Sequence, residues 1–159
     1  MSPAAQFVLA VVPLWLSLLC VGGQPSPQDS YVIVSPQLEG AEEKTTVQLH
    51  KSQTLLVVLP WQATGYSWKV AHYDKTFLKF RQFDQNGYSE LVNRGILKRS
   101  DQSHGEPGLI EKRVFEFIPL SFGTTDVELQ YIRGFEKRPS PAKKLFLSMT
   151  VADSRTNSH

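Results

Sequence analysis

The chain has 159 residues, 41% of them apolar and 20% charged, with a formal net charge of +2. That suits one globular domain with a core of its own behind a removable leader. Every Lys, Arg, Asp and Glu lies at or after Asp29, and no basic arm or acidic tail marks a nucleic-acid or membrane-surface partner, so neither class is expected.

The first element is the leader. Phe7 to Cys20, "FVLAVVPLWLSLLC", is an uncharged apolar run followed by "VGG" and the polar "QPSPQDS". Val21 and Gly23 fit the small-residue pattern before a signal-peptidase cut, which predicts a signal peptide over 1–23 and a mature start at Gln24. The run is broken by Pro13 and is shorter than the ~20 residues a membrane span needs, so no membrane association is expected once the leader is gone. Cys20 is the only cysteine. The mature domain, residues 24–159, must then be held by its core without disulfides, which makes it indifferent to thiols. A secreted location, or the lumen of the secretory and endolysosomal route, is the expectation.

Beyond the leader the hydrophobic period is two nearly everywhere. Residues 30–34 "SYVIV", 46–50 "TVQLH", 53–60 "QTLLVVLP", 66–72 "YSWKVAH", 76–80 "TFLKF", 113–118 "RVFEFI", 125–132 "TDVELQYI" and 144–151 "KLFLSMTV" are short and rich in branched and aromatic residues. Gly, Pro, Asn and Ser separate them, and they are predicted to be strands. Leu145, Leu147, Met149 and Val151 share one face of the last, as Tyr66, Trp68 and Val70 share one face of the fourth. About seven to eight such strands with no sustained helical period predict an all-β, antiparallel, immunoglobulin-like β-sandwich with its core over about 29–151. Residues 84–108 are polar and rich in Gly, Asn and Ser. They are expected to hold a weak strand near "ELVNR" or "GILKR" and then a long loop. The mature chain is expected to be a monomer.

Catalytic templates fail. There is no G-x-S-x-G, no phosphate-binding loop, no H-E-x-x-H and no cysteine in the mature chain, so no enzyme activity, cofactor or metal is predicted. His50, His72, His104 and His159 have no partner at ligand spacing. Ser103 adjoins His104, yet nothing in the sequence orients the pair. Glu111 and Glu116 alternate with lysine and aromatics and are expected to be ordinary solvated positions.

What remains is loops, which a sandwich gathers at two ends for presentation to a partner. Three stand out: "PWQATGY" over 60–66, "HGEPG" over 104–108 and "YIRGFEKRPSP" over 131–141. Phe135, beside Arg133 and Gly134, falls beyond the periodic strand, and aromatics and arginine are enriched at binding hot spots. Trp61 is similar, or else caps the end of the sandwich. Trp68 belongs to the core.

At these residues the chain resembles the chagasin family of cysteine-protease inhibitors. Members carry an N-P-T-T-G loop followed by an aromatic-x-Trp strand, a Gly-rich loop before an F-x-F-type strand, and an R-P-W-type loop. Here the first motif reads Trp61, Gln62, Ala63, Thr64, Gly65, then Tyr66, Ser67, Trp68. The second reads Gly105, Glu106, Pro107, Gly108, then Phe115 and Phe117, and the third Tyr131, Ile132, Arg133, Gly134, Phe135. Trp61 and Gln62 stand in place of Asn and Pro, Ala63 in place of Thr, and Gly134 with Phe135 in place of Pro and Trp. The resemblance covers about 29–151. It implies a papain-like, cathepsin-type cysteine protease as partner, with the three loops wedged uncut into its active-site cleft. The competing expectation is a secreted adhesion module using the same loops on a partner that is not a protease.

Overall fold

The computed structural model describes residues 30–61, 65–98, 111–137 and 139–153. The predicted leader lies outside them. Eight strands and one helix follow in order: β1 (Tyr31–Val34), β2 (Glu42–His50), β3 (Thr54–Trp61), β4 (Tyr66–His72), β5 (Leu78–Phe83), α1 (Gln85–Asn93), β6 (Glu111–Pro119), β7 (Gly123–Arg133) and β8 (Lys143–Ala152). They form two four-stranded sheets, β1-β3-β6-β5 and β2-β8-β7-β4, a β-sandwich as the period-two pattern predicts. Each of the eight expected strands is present, β4 with the expected ends and the others with shifted ones. The sheets are mixed, because β1 pairs with β3 and β2 pairs with β8 in parallel. β1 and β2 lie in different sheets, so each reaches its neighbour by a crossing connection and not by a tight hairpin.

Between the sheets lies the main core, built from the inward positions of the strands: Leu55, Val57, Leu59, Trp68, Phe115, Phe117, Leu129, Leu145, Leu147 and Met149 among them. In β8 the buried residues alternate with half-buried or exposed ones, the mark of a strand buried on one side. β3 breaks that pattern, since Leu55 to Leu59 are all buried. Its outward Leu56 and Val58 join Val114 in a second cluster with Leu91, Ile96 and Leu97, contributed by α1 and the residues after it.

The helix corrects the expectation of a weak strand near "ELVNR" or "GILKR": the first falls in α1 up to Asn93, residues 95–98 after it form no strand, and the long loop expected beyond them lies outside the described residues. Asp84 caps the helix, its side chain accepting from the Gly87 amide at 2.8 Å, and Tyr88, Leu91 and Val92 fall on the sheet-facing stripe. Gly87 weakens the helical signal, but the packing requires it: a Cβ there would come within 2.5 Å of Phe83 Cδ1. Asp84→Ala is expected to cost about 1 kcal/mol, read as a fall of a few degrees in melting temperature. An unchanged melting temperature would show that the cap contributes nothing.

The same cover corrects the reading of Glu116. It is 5% exposed, because the face it occupies lies beneath the second cluster and not in solvent. Arg81 on β5 forks onto it, Nε to Oε2 at 2.9 Å and Nη2 to Oε1 at 3.3 Å, which satisfies both oxygens of a buried carboxylate. Arg81 also lies over the Phe83 ring, 4.2 Å from its centroid.

Candidate functional site

One end of the sandwich collects the predicted loops. Trp61, the last residue of β3, pairs with Glu111, the first of β6, so the chain returns from residues 99–110 beside Trp61. Tyr66, the first residue of β4, pairs with Arg133, the last of β7. The flanks of all three loops therefore meet at this end. Gln62, Ala63 and Thr64 of the first loop, and Gly105, Glu106, Pro107 and Gly108 of the second, lie outside the described residues. Trp61, Gly65, Arg133, Gly134 and Phe135 lie within them.

The inward register of the strands continues past the core into an aromatic layer that closes this end. Tyr131 stacks on Tyr66 with centroids 5.2 Å apart and leans on Trp68 at 5.0 Å. Two guanidinium groups cover the layer. Arg113 lies 4.2 Å over the Trp61 ring and Arg133 lies 4.6 Å over the Tyr66 ring, contacts that each contribute about 0.5–1 kcal/mol at exposed sites. Arg133 also meets Glu136 at 3.6 Å. Arg113 is not among the expected site residues, and Tyr131 is expected only as the start of the third motif. Arg113 carried a legible signal, since it shares the core-facing register of Phe115 and Phe117, where a cation is out of place unless a ring receives it.

Two turns stand above this layer. The third loop begins with a turn in which the Glu136 amide donates to the Arg133 carbonyl at 3.3 Å, placing Gly134 and Phe135 at its centre. Phe135 is 73% exposed, so it belongs to the surface and not to the core. Gly65 has φ +80, a region that L side chains avoid. A Cβ on Gly65 would stand 3.1 Å from Phe135 Cε1, which means that the exposed ring leans on the bare backbone of the first loop. The two loops share one apex. Below it a groove runs between the sheet edges, lined by Trp61, Tyr66, Trp68, Lys69, Gln82 and Arg113.

This arrangement offers a partner an exposed aromatic seated on a glycine backbone, with a flanking cation. Such a set is suited to entering a cleft.

Residues 48–150 match the family model described as chagasin family peptidase inhibitor I42. Among solved structures the chain is similar to the cysteine protease inhibitor EhICP2 from Entamoeba histolytica, with 20% identity, a TM-score of 0.49, and coverage of 77% of this chain and 95% of that one. It is also similar to PbICP-C, solved in complex with falcipain-2, with 16% identity, a TM-score of 0.50, and coverage of 76% and 98%. No curated protein matches at the level of sequence.

Proposed function

The chain belongs to the chagasin family of peptidase inhibitors, and from that premise we propose that it is a secreted inhibitor of papain-like, cathepsin-type cysteine proteases. Its three loops enter the active-site cleft as a wedge and are not cleaved. It is an inhibitor and not an enzyme. The observation that carries the wedge is the shared apex: Phe135, 73% exposed, rests against Gly65 at φ +80. That PbICP-C is found in complex with falcipain-2 supports a protease as the partner.

The mechanism follows from the backbone. Gly65 lacks Cβ, which leaves room for the Phe135 ring and lets the turn hold φ +80, so the backbone beside it meets a catalytic thiol in a conformation that other residues avoid. Approach is not cleavage. Cutting requires the carbonyl in near-attack geometry and in register with the oxyanion donors. A turn fixed by its flanks fills the space over the nucleophile and withholds that alignment. Phe135 and Arg133 supply the affinity at the side of the cleft. Gln62, Ala63 and Thr64, and Gly105, Glu106, Pro107 and Gly108, complete the wedge by their place in the motifs. A signal peptide over 1–23 and a monomeric mature chain complete the reading, and a domain without cysteine suits a thiol-rich lumen.

The test is protection of the nucleophile. At saturating concentrations of residues 24–159, alkylation of papain's catalytic cysteine by iodoacetamide is expected to slow at least tenfold, as binding that excludes the reagent demands. A bound complex that alkylates at the rate of free papain would place the chain elsewhere on the protease and overturn the wedge.

A further inference from the structure

The flanks of the connection from β3 to β4 do not pair with each other. They lie in different sheets, β3 beside β1 and β6, β4 beside β7. Among the described residues no backbone hydrogen bond of the hairpin kind joins the end of β3 to the start of β4. Two indoles stand in that place and run in opposite directions. Trp61 Nε1 on β3 donates to the Tyr66 carbonyl on β4 at 2.9 Å, and Trp68 Nε1 on β4 donates to the Pro60 carbonyl on β3 at 2.9 Å. Arg113 holds the Trp61 ring from a third strand, β6. Trp68 is 2% exposed and would be core in any sandwich. Trp61 is only half-buried, so closing the end of the core does not by itself call for an indole; a phenyl ring would cover the same surface. What the indole adds is the N–H across the turn.

We propose that Trp61 is a positioning residue of the inhibitor. With Trp68 and Arg113 it cross-braces the ends of β3 and β4, so that Trp61 and Tyr66, the two flanks of the first loop, are held in place relative to each other. Fixed flanks limit how far the loop between them can extend into a protease's substrate register. Without the brace, strand ends in two different sheets are free to part, and a loop with free ends can be drawn into an extended, cleavable register. The inference rests on the inhibitory reading above, and the test separates the two.

Trp61→Phe keeps the ring and its seat under Arg113 and deletes the N–H. Its inhibition constant for papain is expected to rise about tenfold, one hydrogen bond's worth. The variant, unlike the parent, is expected to be cut by papain between Trp61 and Tyr66 on long incubation. Subtilisin, which needs no inhibitory complex, is expected to cut the same bonds at least about fivefold faster in the variant than in the parent. Arg113→Gln should move both readouts in the same direction by less, and it carries the comparison if Trp61→Phe melts far below the parent. Equal subtilisin rates in parent and variants overturn the brace, whatever papain does. Loss of papain inhibition with no change in subtilisin cutting overturns it as well, because Trp61 would then act by touching the protease. A parent chain that leaves papain active overturns the inhibitory reading and the role of Trp61 in inhibition, and the subtilisin rates are then read on their own.

Discussion

Gly65→Val is expected to raise the inhibition constant for papain at least about 100-fold, near 3 kcal/mol, while lowering the melting temperature by only a few degrees. Two effects act on inhibition. Gly65 sits at φ +80, where a side chain costs roughly 1–2 kcal/mol and a β-branched one favours leaving the region altogether. The new Cβ would also stand 3.1 Å from Phe135 Cε1 and push the exposed ring off its seat, so one substitution disturbs both turns of the apex. The stability cost is limited because Gly65 is itself exposed and lies outside the core. Gly65→Ala shares the backbone cost with less bulk and should fall between. Unchanged inhibition by Gly65→Val would mean that this turn does not enter the catalytic centre.

Phe135→Ala is expected to weaken binding by about 2 kcal/mol, some 30-fold, and to act mainly on the dissociation rate, since contacts of a formed interface are lost. Its melting temperature should stay close to the parent's. A core phenylalanine would behave in the opposite way, costing about 3–5 kcal/mol of stability, but 73% exposure leaves Phe135 little to lose on unfolding. Arg133→Ala should weaken binding less, because its guanidinium is already shared between the Tyr66 ring and Glu136. Melting temperature and papain dissociation rate measured on one sample of Phe135→Ala decide the matter. A large melting drop with unaltered dissociation from the folded fraction would assign the ring to the sandwich.

Period and turn chemistry made the strands legible, because in β4, β7 and β8 alternation directly reports a one-sided core. Pairing was less so. Nothing in "SYVIV" or "TVQLH" says that β1 and β2 lie parallel to β3 and β8, since strand order depends on contacts far apart in sequence. The helix hid behind Gly87 and its short length, although Asp84 followed by Tyr88, Leu91 and Val92 carried a cap and a 3.6 period. Without the helix in view the alternation at Glu116 points to solvent, whereas the helix region buries that face. At the site, the loop positions of Gly65, Arg133 and Phe135 were legible from turn residues and the end of the strand period. The contact of Phe135 with Gly65 was not, nor were the crossed indole bonds. The first joins two loops and the second joins strands of different sheets, and a pattern along one strand reports only which face a residue takes.

The central claim is occlusion of a cysteine protease without cleavage, and titration of active-site-counted papain with residues 24–159 tests it most directly. The account predicts that activity falls linearly to zero at one equivalent of the chain and that the chain recovered after prolonged incubation has its full mass. Papain that keeps its activity in large excess of the folded chain, or loses it only while the chain is cut between Trp61 and Tyr66, would contradict the account.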